Sequence, residues 1–184
     1  MKLLKEKLLK CKHCTLCENR ENVVIGVGNE HASILFIGGT PKEEEEEYGK
    51  SFTKESKKIL NELFLSVGLS CKDIYLTNIV KCRPLDDRKP TQLEIKICQR
   101  YLDEEIFKIK PKVICTIGRE ALNFVKTRYG LGEITTINEM HGKIFPETEF
   151  VIIPLYHPIV TLKNSIKKKE LLLDLKIVKK YASV

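Results

Sequence analysis

The sequence predicts an α/β fold: a mostly parallel sheet covered on both faces by helices. Two observations point there. Short, near-continuously apolar runs alternate with segments of helical spacing, the pattern of strands buried on both faces. Small or polar residues close those runs, including Gly38-Gly39, Gly118 and Tyr156-His157-Pro158.

The elements follow in order. Leu3 to Lys10 reads as a short helix leading into CKHCTLC, Cys11 to Cys17. SILFI, Ser33 to Ile37, is a first strand. Glu55 to Val67 has helical spacing at Ile59, Leu60, Leu63 and Val67, and Gly68 stops it. DIYLTNIV, Asp73 to Val80, is a second strand. Thr91 to Ile106 is helical, with Thr91 as a cap and Glu94 three residues on. Val113 to Ile117 is a third strand, followed by a helix from Arg119 to Lys126. Phe150 to Leu155 is a fourth strand, and Ser165 to Tyr181 a closing helix. In such sheets ligands bind beyond the carboxyl ends of the strands. Here those ends carry Gly38 to Pro41, Thr77-Asn78, Gly118 and Tyr156 to Pro158.

The 184 residues suit one domain spanning 1–184. The start, MKLLKEKLLK, is broken by lysines and does not resemble a secretory leader. No apolar run reaches the roughly 20 residues of a membrane span. The expectation is a cytoplasmic, intracellular protein with no membrane partner. The net charge of +7 favours a polyanionic partner; much of it lies between Lys163 and Lys180, a segment that reads equally as a solvated helix face, with nucleic acid as the first alternative and an acidic membrane surface far behind it.

Seven cysteines are an odd count for a disulfide framework and suggest a metal or cluster instead. Cys11 and Cys14 have chelating spacing, and Cys82 and Cys98 are positioned for the fold to bring them near. By spacing alone zinc and an iron–sulfur cluster are equally open. Cys71 and Cys115 read as small buried residues, and Cys17 as a decoy ligand.

The stretches CKHCTLCENRENVVIGVGN, FIGGTPKEEEEEYGKSF, IYLTNIVKCRPLDDRKP, ICQRYL and PLYHPIVTLKN, in this order and spacing, resemble the family 4 uracil-DNA glycosylases. The resemblance implies a three-layer α/β/α domain around a four-stranded, mostly parallel sheet. It also implies a [4Fe–4S] cluster on Cys11, Cys14, Cys82 and Cys98. The implied activity is monofunctional removal of uracil from single- or double-stranded DNA by a monomer, as in base excision repair. Phe52 would stack on the flipped base, Asn78 would read its edge and His157 would stabilise the leaving anion, with Gly38 and Thr40 lining the pocket. Pro158 onward would meet DNA, with Leu162 as a wedge and Lys163 on phosphate.

The first motif departs from the family's G-E-[A/G]-P-G-E-E-E-[D/E]. Gly39 stands at its glutamate, Thr40 at a small apolar residue and Lys42 at its second glycine. The family's glycine-containing segment after the stacking aromatic is here Thr53 to Lys57, and its asparagine in the proline-rich loop is Asp87. Glu45 falls on an acidic position of the motif. Whether Glu43 or Glu45 replaces the missing carboxylate stays open, and backbone donors of Gly39 and Thr40 are expected to keep part of the site. These departures also admit a weakened DNA-binding relative, or a glycosylase for deaminated purines.

Overall fold

The computed structural model describes residues 1–52, 54–132 and 136–183, with backbone alone at 54 and 55. Thr53, in the segment after Phe52, therefore lies outside the described residues. The strands are β1 (Val27–Gly28), β2 (Ile34–Gly38), β3 (Ile74–Asn78), β4 (Val113–Ile117), β5 (Phe145–Pro146) and β6 (Val151–Leu155). The helices are α1 (Lys2–Leu9), α2 (Glu43–Tyr48), α3 (Lys54–Ser66), α4 (Gln92–Ile109), α5 (Gly118–Tyr129), α6 (Ile137–Met140) and α7 (Ser165–Ala182).

The sheet order is β1-β3-β2-β4-β6-β5. The four inner strands are parallel, and β1 and β5 pair antiparallel at the edges. The expected four-stranded sheet therefore has six strands. The two additions are two residues long, too short to leave an apolar run in the sequence.

Period-2 alternation splits each inner strand between two cores. Leu35, Ile37, Tyr75 and Ile114 pack with Leu4, Leu8, Leu102 and Val125 on the α1, α4 and α5 side. Ile34, Phe36, Leu76 and Cys115 pack with Leu60, Leu63, Leu171 and Leu175 on the α3 and α7 side. This is a three-layer α/β/α arrangement. No helix among the described residues is long and apolar enough to cross a membrane. Cys71, expected inside, is exposed, because it lies in the turn before β3.

Helix α2 lies within the glutamate run. The Glu45 carboxylate accepts the Lys42 backbone N–H at its start (3.0 Å), and Gly49 ends it in the left-handed conformation at φ 61°. Its buried glutamate, Glu46, faces the Glu21 backbone N–H and Arg83. The run is therefore a packed helix with one inward face. At α4 the expected cap is present: Thr91 Oγ1 accepts the Glu94 N–H at 3.2 Å, and Glu94 accepts the Thr91 N–H at 2.7 Å.

The sheet order reverses at β2: the chain passes from β2 to β3 on one side and returns to β4 on the other. The crevice outside the carboxyl ends of these strands is the expected ligand position in such a sheet.

Candidate functional site

An open cleft of about 640 Å³ lies over that crevice. Gly38, Asn78, Phe52, Glu120 and His157 line it, from five separate parts of the chain.

Gly38 and Asn78 are register partners on β2 and β3. A Cβ on Gly38 would stand 2.8 Å from Phe52 Cζ and 3.1 Å from Asn78 Oδ1. Glycine therefore lets a ring and an amide meet at the cleft floor. Phe52 is buried and holds a left-handed backbone conformation, φ 54°. Such a conformation costs about 1–3 kcal/mol for a non-glycine residue unless its surroundings fix it. The fixing group is Glu45, whose Oε1 accepts the Phe52 N–H at 2.8 Å.

The same Oε1 accepts from Asn78 Nδ2 at 3.0 Å. An ionised carboxylate only accepts, so it sets which way the amide faces. Asn78 is 1% exposed, and its Oδ1 has no hydrogen-bond partner. A buried acceptor without a partner is costly and marks a place where a ligand donor fits. Glu45 Oε2 accepts the Lys42 N–H, so both oxygens of Glu45 are engaged within the protein.

Thr40 donates through its backbone N–H (3.2 Å) and its Oγ1 (2.7 Å) to Glu120 Oε2, on the first turn of α5. The Thr40 N–H expected as a free donor is thus already taken. Lys42 lies on the rim, its ammonium 3.8 Å from Asp87.

His157 follows β6 and caps the 3-10 turn Pro158–Thr161. Its Nδ1 accepts the Ile159 N–H at 3.4 Å, which leaves the ring proton on Nε2. Burial pushes the imidazole below its ordinary pKa; Glu120 opposes that shift and Lys42 adds to it. Pro158 is buried, while Ile159 and Leu162 expose about half of their surface beside Lys163. Sequence reasoning singled out Leu162 but not Ile159, which lines the cleft itself.

A second constellation lies beyond the same end of β3, where the loop after Asn78 carries Cys82. Cys11, Cys14, Cys17, Cys82 and Cys98 line one small void with Arg20. Arg20 Nη1 donates to Cys82 Sγ at 3.2 Å and its Nη2 to the Cys11 carbonyl at 2.8 Å. The Lys81 N–H donates to Cys98 Sγ at 3.3 Å. Burial pushes the Cys98 thiol up to about 12, so it is a thiol unless a metal takes its proton's place. No group of three or more His, Cys, Asp or Glu side chains among the described residues is drawn together as a site for a metal ion. The donors are of the kind that holds a metal ion or a cluster: thiols from the N-terminal segment, the loop after β3 and α4, with N–H groups aimed at the Cys82 and Cys98 sulfurs. Glu94 ties this segment to α4: it accepts from Thr15 Oγ1 at 2.8 Å and pairs with Arg88 at 2.6 Å. The Arg88 guanidinium holds the Glu94 carboxyl at about 2, well below the carboxylate range.

Sequence reasoning missed Arg20 and Glu120. Glu120 carried one signal: it stands two residues beyond Gly118, on a helix that starts at a strand's carboxyl end.

Residues 25–176 match the model of the uracil DNA glycosylase superfamily. The chain is 36% identical to a type-4 uracil-DNA glycosylase of Archaeoglobus fulgidus, over 92% of this chain and 87% of that one. It is 35% identical to a type-4 uracil-DNA glycosylase of Sulfurisphaera tokodaii, over 97% and 83%. It is 36% identical to a type-4 uracil-DNA glycosylase of Thermotoga maritima, over 89% and 84%.

Proposed function

Because the chain belongs to the uracil DNA glycosylase superfamily, alongside its type-4 enzymes, we propose that it excises uracil from DNA and leaves an abasic site. The observation that carries this reading is the fixed amide of Asn78. With Nδ2 held toward Glu45, the unpartnered Oδ1 can accept the N3–H of uracil. The second Nδ2 hydrogen is left for O4. Cytosine presents the reverse pattern, a donor at N4 and an acceptor at N3. The Glu45 carboxylate keeps the amide from turning over to suit it.

The flipped base stacks on the Phe52 ring, worth about 1–3 kcal/mol. As the bond between N1 and C1′ breaks, negative charge gathers on the uracil oxygens. The neutral His157 ring, with its proton on Nε2, donates to O2. In this scheme Glu45 is a positioning residue for Phe52 and Asn78, and Gly38 keeps the floor open for them. Leu162 with Ile159 forms the apolar edge that enters the base stack, and Lys163 with the lysines of α7 contacts phosphates. Cys11, Cys14, Cys82 and Cys98 would hold a [4Fe–4S] cluster, with Arg20 and the Lys81 N–H directed at the Cys82 and Cys98 sulfurs. The cluster would supply a structural crosslink between the N-terminal segment, the loop after β3 and α4.

Glu45→Gln tests the amide argument, because a glutamine can donate as well as accept and no longer fixes Asn78. The variant is expected to lose about 10–100-fold in discrimination of uracil over cytosine, the worth of one two-point base contact. The measurement is release of each base from matched oligonucleotides. A variant as selective and as fast as wild type would contradict this account of recognition.

A further inference from the structure

Gly39 does not need glycine's conformational freedom, since its φ is not among the positive ones. What it needs is space. A Cβ at residue 39 would overlap Glu120 Oε2 outright and stand 3.0 Å from Glu120 Cβ. The Glu120 side chain therefore occupies the volume into which any residue-39 side chain would project. Two donors of the next residue, the Thr40 N–H and Oγ1, grip its Oε2. Among the described residues no donor is assigned to its Oε1. Glu120 is exposed to the cleft that Asn78, Phe52 and His157 share, and its charge acts on the His157 ring.

The other acidic groups at the cleft are less suited. Glu45 has both oxygens engaged. Glu43 and Glu44 belong to the exposed first turn of α2.

We propose that Glu120 supplies the carboxylate of this site from the start of α5, in place of a side chain at residue 39, and activates the attacking water. This rests on the uracil-excising reading. Glu120 takes a proton from water as the water oxygen bonds to C1′. The bond from C1′ to N1 breaks, and its electron pair leaves with uracil as the anion. That anion then takes up a proton, so the sum is one water consumed, with one abasic sugar and one uracil formed. Glycine at 39 and glutamate at 120 thus fit one arrangement: a side chain at residue 39 would require Glu120 to move, and a glutamate there would bring two like charges together.

The test compares wild type, Glu120→Gln, Glu120→Ala and the double variant Gly39→Glu/Glu120→Ala. Uracil release is measured in single turnover, with melting temperature and oligonucleotide binding followed alongside. Glu120→Gln is expected to slow release about 10²–10⁴-fold, as for loss of a general base, with folding and binding kept. The double variant is expected to recover at least about tenfold over Glu120→Ala, a small part of that range. Glu120→Gln and Glu120→Ala proteins within about threefold of wild type, far below that range, would overturn the assignment. So would a double variant that folds and binds but recovers nothing. A wild type that binds the oligonucleotide and releases no uracil indicts the uracil reading itself. An active wild type with indifferent variants indicts Glu120 alone.

Discussion

A Lys81→Met protein is expected to lose about 3–5 kcal/mol of stability, the typical cost of leaving one partner of a buried ion pair alone. Lys81 and Glu105 are each 1% exposed or less. The Lys81 ammonium donates to Glu105 Oε2 at 2.7 Å, to the Asn78 carbonyl at 3.1 Å and to Thr77 Oγ1. Removing it strands a carboxylate whose Oε1 already lacks a partner. The loss also falls at the junction between the two ends of the site. Residues 77 and 78 end β3, Lys81 directs its N–H at Cys98, and Glu105 is on α4. Denaturant unfolding gives the number. The double variant Lys81→Met/Glu105→Leu should regain most of it, since an apolar pair of similar volume leaves no charge buried. A single variant as stable as wild type would show that Glu105 finds another partner.

His157→Ala is expected to slow uracil release about 10²–10³-fold, roughly 2.7–4 kcal/mol, the range for one donor aimed at a developing anion. Oligonucleotide binding should be nearly unchanged, since the ground state carries little charge there. The pH dependence has a definite sign. Burial places the folded pKa of His157 below the ordinary 6.5. The ring is therefore neutral at pH 7, with Nδ1 accepting from Ile159 and Nε2 donating. The stability it contributes is fully present above 6.5 and is lost as pH falls through the lowered folded value. The part of the rate that depends on His157 should hold level from pH 8 to below 6.5 and decline only further down. A His157-dependent rate that instead rises as pH falls would mean that the working form is the cation.

The parallel sheet was legible because its four inner strands are apolar on both faces, and the strand ends marked the site because Gly38, Asn78 and His157 interrupt those runs. Other features left no such trace. The edge strands β1 and β5 are two residues each. Helix α2 has no apolar stripe; its start is set by one side-chain contact, from Glu45 to the Lys42 N–H, and its end by a left-handed glycine. The substitution at residue 39 read as a loss because its compensation comes from 81 residues further along, at a helix start where periodicity carries no information. Glu45 was visible as an acidic motif position. Its turn inward, onto Phe52 and Asn78, depends on a helix that the sequence did not announce.

The central claim is that this cleft removes uracil from DNA, and single-turnover release from a single-stranded oligonucleotide with one uracil tests it most directly. Wild-type protein, in excess over the oligonucleotide, should convert it to abasic product and leave the cytosine control intact. Protein that is folded and binds the oligonucleotide, but yields no abasic product, would contradict the claim and leave a DNA-binding relative or a glycosylase for another damaged base.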